Sequence, residues 1–159
     1  MEPTKYIHYG HTGFDPNAFN QIQNEPMFAK PIGGLWASPI DSPWGWKDWC
    51  DAEQFRECTE ENSFTFTLSD DAKILRIYDI DDLKDLPEVE GPSKFRFCTM
   101  YSIKRYYLDF EKLSEEYDGI EVFIETEEGR NGSLYWALYG WDCNSVCIFN
   151  PDIIVLEEK

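Results

Sequence analysis

Apolar and polar positions alternate most cleanly from Ser63 to Leu68. Phe64, Phe66 and Leu68 fall on one face, and Ser63, Thr65 and Thr67 on the other, which predicts a half-buried β-strand. Lys73 to Tyr78 alternates Ile74 and Arg76 against Leu75 and Ile77, and predicts a second strand. Ser69-Asp70-Asp71 reads as a turn between them, so the two are expected to pair as a hairpin. Lys5 to Tyr9 is a short strand that Gly10 ends. Leu35 to Ser38 follows Gly33-Gly34 and is stopped by Pro39. Ile120 to Ile124, Val146 to Phe149 and Ile153 to Leu156 complete the strands, with Asn150-Pro151-Asp152 as the last turn.

Helical spacing is sparser. Asp15-Pro16 is a helix opening, with Asp15 as N-cap and Pro16 in the first position. The expected helix runs from Asn17 to Asn24, with Ala18, Phe19 and Ile22 on one side. Asp41-Ser42-Pro43 opens a second, from Trp44 to Phe55, with Trp49, Ala52 and Phe55 at helical intervals. Asp79 to Pro87 is a short acidic helix, and Asp109 to Tyr117 a longer one closed by Asp118-Gly119. Lys94 to Tyr107 and Ser133 to Gly140 are aromatic-rich and fit strand or helix. Glu88 to Ser93 and Glu125 to Gly132 read as loops. Helices early and short strands later, with no repeat or linker, give an α+β plan with a mainly antiparallel sheet.

The chain has 159 residues, which fits one domain, 1–159, able to bury a core without staples. An aromatic content of 16% points to a globular protein rather than a disordered one. Met1 to Lys5 has neither a basic nor an apolar leader pattern, so a cytoplasmic protein is expected. Five cysteines, an odd count without framework spacing, fit reduced thiols. Cys143 and Cys147 lie four apart, but no second pair accompanies them, and His8 and His11 are the only histidines; no metal site is expected.

Charge changes the picture more. A formal net charge of -17 repels phosphate backbones and disfavours nucleic-acid binding. It serves solubility, or recognition of a basic protein partner, including mimicry of nucleic acid.

Several blocks in order resemble the ADP-ribosyltransferase fold, in its histidine-led branch of diphtheria-toxin-like enzymes and poly(ADP-ribose) polymerases. They are Ile7-His8-Tyr9-Gly10-His11-Thr12; Gly34-Leu35-Trp36-Ala37-Ser38; Asp41-Ser42-Pro43 with Asp48-Trp49-Cys50; Ala72-Lys73-Ile74-Leu75; Tyr117-Asp118-Gly119-Ile120; and Val146-Cys147-Ile148-Phe149-Asn150-Pro151-Asp152. The last block is similar to that family's closing hairpin. The resemblance implies a mainly antiparallel split β-sheet core with a few short helices. It implies NAD as the substrate and transfer of ADP-ribose to a protein or small acceptor.

The chemistry so implied breaks a C–N glycosidic bond through a cation-like state that a nearby carboxylate stabilises. On the resemblance, His8 would hydrogen-bond the adenosine ribose. The backbone of Tyr9 or Gly10 would hold the nicotinamide amide, Trp36 and Trp49 would flank its ring, and Ser38 would add a hydroxyl. The family commonly places a Glu shortly before the closing block, but no Glu lies between Gly129 and Glu157 here. Asp142 is the only carboxylate in the matching stretch. Either it stands in as the catalytic group, or transferase activity is lost, or the chemistry differs.

Each residue also has a plainer reading. His8 is then a strand histidine satisfied by a neighbour, and Asp142 a turn or cap residue. Most of the six tryptophans are packing residues. Lys30 and Lys47 are solvated lysines rather than pyrophosphate contacts. The rival function is a non-catalytic acidic interaction protein that blocks a basic or nucleic-acid-binding partner. A hydrolase of NAD or another nucleotide on the same fold is a third.

Overall fold

A computed structural model describes residues 2–25, 29–90, 106–124, 132–138 and 140–157. Seven strands form one sheet in the order β4-β5-β6-β2-β1-β3-β7. They are β1 (Tyr6–Tyr9), β2 (Leu35–Pro39), β3 (Ser63–Leu68), β4 (Ile74–Ile77), β5 (Gly119–Val122), β6 (Ser145–Ile148) and β7 (Ile154–Leu156). Every pairing is antiparallel except β4 with β5. The helices are short: α1 (Trp46–Glu53), α2 (Phe110–Glu116) and α3 (Ser133–Ala137). The architecture is α+β with a mainly antiparallel sheet, as the residue pattern predicts.

Both faces of the sheet are covered. One carries Tyr6, Leu35, Ala37, Phe64, Phe66, Val146 and Ile148. The other packs Ile120, Val122 and Cys147 against Phe110 and Leu113 of α2, Leu134 and Ala137 of α3, and Trp141. The sheet curls around the first face. Tyr6 on β1 and Glu121 on β5 have β2 and β6 between them, yet the Tyr6 hydroxyl donates to Glu121 Oε1 at 3.0 Å. A flat sheet holds strands about 4.8 Å apart, too far for that contact across two intervening strands. Arg76 Nε on β4 donates to the same oxygen at 3.1 Å, so the buried carboxylate meets two donors.

Four expectations need correction. The helix from Asn17 to Asn24 is a three-residue 3-10 turn, Pro16–Ala18, capped by Asp15 as expected. Tertiary bonds take several backbone groups of the rest. Asn20 O accepts from Gly34 N, and Gln23 pairs with Ile32. The Asn24 side chain accepts from Phe110 N at 2.7 Å and so caps α2. Second, β3 and β4 do not form a hairpin. Both edges of β3 are occupied, by β1 and β7, so β4 turns away and pairs in parallel with β5.

Third, β6 and β7 do not form a closing hairpin; β6 lies between β5 and β2, while β7 sits at the sheet edge beyond β3. Fourth, the second helix starts at Trp46, after Gly45, and its inward residue is Cys50. Trp49 is half-buried, whereas Ala52 and Phe55 face solvent. Ser133 to Gly140 resolves as α3 over its first five residues. The ambiguous run Lys94 to Tyr107 falls outside the described residues up to 105, as do Cys98 and most of the loop from Glu125.

Gly33-Gly34 earns its place by conformation. Both residues have positive φ, 91° and 71°. A Cβ at Gly34 would stand 2.7 Å from Ile148 O and 2.9 Å from Cys147 Sγ. That close approach lets β2 enter directly beside β6. Among the described residues, no helix is long and apolar enough to cross a membrane.

Candidate functional site

The ladder between β1 and β2 is short. Tyr6 faces Pro39 and Ile7 faces Ser38, and there the pairing ends. Beyond it, the His8 side chain bridges the strands, with Nδ1 at 2.6 Å from Trp36 O. A carbonyl only accepts, so Nδ1 carries the proton and donates. Nε2 is then an acceptor, and His11 Nδ1 lies 2.9 Å from it. Burial pushes the His8 pKa below its ordinary value, so the ring is neutral near pH 7. Its face tilts onto Phe64, centroids 5.1 Å apart.

Where the strands part, a cavity of about 280 Å³ opens. β1 lines it with Ile7, His8 and Tyr9, and β2 with Trp36, Ala37 and Ser38. Lys30 and Pro31 come from the loop before β2, and Trp46 and Arg56 from α1 and the turn after it. The far wall is Gly140, Trp141, Asp142, Cys143 and Ser145. The volume falls just below the roughly 300–1,000 Å³ range of small-molecule sites.

A buried polar network fixes the relative places of these walls. Ser38 Oγ donates to Asn144 O at 2.7 Å and accepts from Trp46 N at 2.9 Å. It thereby joins β2, the first turn of α1 and the segment before β6. Gly45 cannot cap by side chain, and Asp48 Oδ2 accepts the Gly45 N–H at 2.8 Å instead. Trp44 Nε1 donates to Asp142 O at 2.9 Å, and Asn144 N donates to Trp44 O at 2.8 Å. Trp44 therefore pins the backbone of Asp142. Trp141 is buried, donates Nε1–H to Ala29 O at 2.6 Å, and packs on Trp36 with centroids 4.8 Å apart.

Of the residues singled out from sequence, His8, Tyr9, Trp36, Ser38 and Asp142 meet at this cavity. Gly10 and Trp49 are not among its lining residues. Gly10 turns the chain after β1 at φ 118° and donates to Asn62 O. Trp49 is half-buried and stacks on Trp46, and Trp46 is the tryptophan of α1 that lines the cavity. Lys30 lines the cavity, whereas Lys47 is exposed and paired with Asp51 at 2.8 Å.

Sequence reasoning did not single out Arg56 or Trp141. Arg56 has no local signal, since only the turn after α1 swings it to the mouth. Trp141 was visible solely as the neighbour of Asp142. The thiols here are packing groups. Burial pushes Cys143 up to about 12, and burial together with the neighbouring Cys58 does the same to Cys50, so neither supplies thiolate near pH 7. Among the described residues, no group of three or more His, Cys, Asp or Glu side chains is placed to hold a metal.

Comparison with family models, with curated proteins and with solved structures finds no match for this chain.

Proposed function

We propose that this cavity binds NAD by its nicotinamide end and serves transfer of ADP-ribose to a protein or small acceptor. One observation carries the reading: His8, Trp36 and Asp142, from three separate stretches, line a single aromatic-walled cavity. Lys30 and Arg56 line it too, local positive charge on a chain of net charge -17. An anionic pyrophosphate needs such a place against the repulsive overall field.

In this reading the C–N bond between ribose and nicotinamide breaks, and nicotinamide leaves with the bonding pair. The acceptor's nucleophile then forms the new bond at the same carbon and gives up its proton. The Asp142 carboxylate stabilises the developing ribosyl cation and takes that proton. His8 Nε2, an acceptor in the tautomer set by Trp36 O, takes a hydrogen bond from a ribose hydroxyl in place of His11. Trp36, backed by Trp141, offers an aromatic wall for the flat leaving group. The four described cysteines, all free thiols, fit a reducing compartment, which we take to be the cytoplasm.

The test is melting with and without millimolar NAD, followed by assay of free nicotinamide. Saturation at a hundredfold excess over Kd stabilises by about 2.7 kcal/mol, which in a chain of this length raises the midpoint by about 5–10 °C. Asp142→Ala should keep the shift and lose nicotinamide release. An unmoved midpoint overturns the NAD reading. Release that survives Asp142→Ala overturns the role of Asp142. The net charge favours one other reading, a non-catalytic protein that occupies a basic partner; it predicts no shift with NAD.

A further inference from the structure

Helix α1 is tied to the core by Cys50, its one buried residue, and leaves Trp46 and Trp49 half-buried. Trp46 and Trp49, three apart on the helix, stack with centroids 5.2 Å apart and planes 18° apart. Gln54 then takes a left-handed conformation, φ 52°, which folds the chain back. Phe55 thereby returns to the same two rings, 5.3 Å from Trp49 and 6.0 Å from Trp46. It remains 54% exposed. The Arg56 guanidinium lies over the Phe55 ring at 4.9 Å.

The segment that carries this platform is acidic. From Trp46 to Glu61 there are six carboxylates (Asp48, Asp51, Glu53, Glu57, Glu60, Glu61) and only Lys47 and Arg56 as cations. Lys47 is already paired with Asp51.

We propose that the Trp46–Trp49–Phe55 platform docks an arginine-bearing segment of a basic protein. The π faces attract cations, and guanidinium, planar and weakly hydrated, stacks on them better than ammonium does. Arg56 already displays that contact within the chain. The carboxylates of the segment add attraction at longer range and raise the encounter rate. The same charge argues against the other occupants. A second copy also carries -17 and is repelled. Nucleic acid and an anionic lipid surface are repelled for the same reason. The inference does not depend on turnover of NAD, though Trp46 belongs both to this platform and to the cavity wall.

The experiment uses the whole protein without NAD and a short labelled peptide of alternating arginine and glycine, with a lysine–glycine peptide as control. Binding is followed by anisotropy at physiological ionic strength and by tryptophan emission. The arginine peptide should bind and quench. Trp49→Ala and Phe55→Ala should each weaken it about fivefold, the scale of one exposed cation–π contact. Phe55→Leu keeps apolar bulk at this exposed position, and should weaken binding as much while the far-ultraviolet spectrum stays unchanged. Equal affinity for the lysine peptide, or unchanged affinity in the variants, would reduce the effect to bulk charge and overturn the proposal. No binding of the arginine peptide overturns it outright.

Discussion

The hydroxyl of Tyr6 offers the sharpest test of how the sheet is held in its curl. Tyr6→Phe removes one oxygen and nothing else. The ring stays packed on Phe66, 5.6 Å between centroids. Glu121 is only 2% exposed and keeps Arg76 as its sole remaining donor among those described above. A hydrogen bond to a charged, buried acceptor is worth about 1.5–3 kcal/mol, and loss of about 2 kcal/mol is expected. In a chain of this length that lowers the melting midpoint by about 4–8 °C.

The loss should depend on pH in a definite direction. Burial raises the Glu121 pKa above its ordinary value, while Tyr6 and Arg76 pull it back. A carboxyl with a raised folded-state pKa contributes most below its unfolded pKa, and that contribution fades as pH rises through the folded value. Removing the hydroxyl raises the folded value further. The gap between the parent protein and Tyr6→Phe must therefore be small in acid, where Glu121 is protonated in both, and widen toward neutrality and above. Urea unfolding, read by tryptophan emission at several pH values, measures it. A gap that is the same in acid and in base, or one below about 0.5 kcal/mol throughout, would refute the claim that the hydroxyl stabilises a buried carboxylate.

Two other expectations follow from the site's framework. Gly34→Ala should destabilise by about 2 kcal/mol or more, because φ is 71° and the new methyl meets Ile148 O; urea unfolding measures it, and a neutral substitution would show that β2 can shift away from β6. His8, whose pKa burial lowers, should titrate below the ordinary histidine value in an NMR pH series. Its share of stability is present above the unfolded histidine pKa and is lost as pH falls through the lowered folded one; a titration at or above the ordinary value would refute the claim that burial keeps the ring neutral.

How much was legible beforehand depended on the range of the interactions involved. The alternation of Phe64, Phe66 and Leu68 and the cap at Asp15 are decided by near neighbours, and strand and cap formed where the pattern put them. The stretch after Asp15 failed because Asn20, Gln23 and Asn24 bond to residues far along the chain. The hairpin of β3 and β4 failed because pairing is a competition for edges, and β1 and β7 occupy both edges of β3. At the cavity, His8, Trp36 and Asp142 were visible by residue type and order. Arg56 was not, and Lys30 read as a solvated lysine, since a charged side chain looks alike on any loop until the fold points it somewhere. Trp49 and Phe55 carry helical spacing, yet spacing alone does not say which face is inward; Cys50 took that place.

The shortness of the β1–β2 ladder also governs how the molecule can be dissected. On one side of that seam stand β2, β6, β5 and β4, and on the other β1, β3 and β7. The backbone passes from one side to the other after β1, after β2, after β3 and after β6. No single cut therefore frees either half as a continuous piece. A nick in a surface loop yields fragments that stay interleaved, each holding strands that the other completes. Deletion from either end removes strands that the remaining half needs, so truncation cannot map the cavity, which exists only when nearly the whole chain is present.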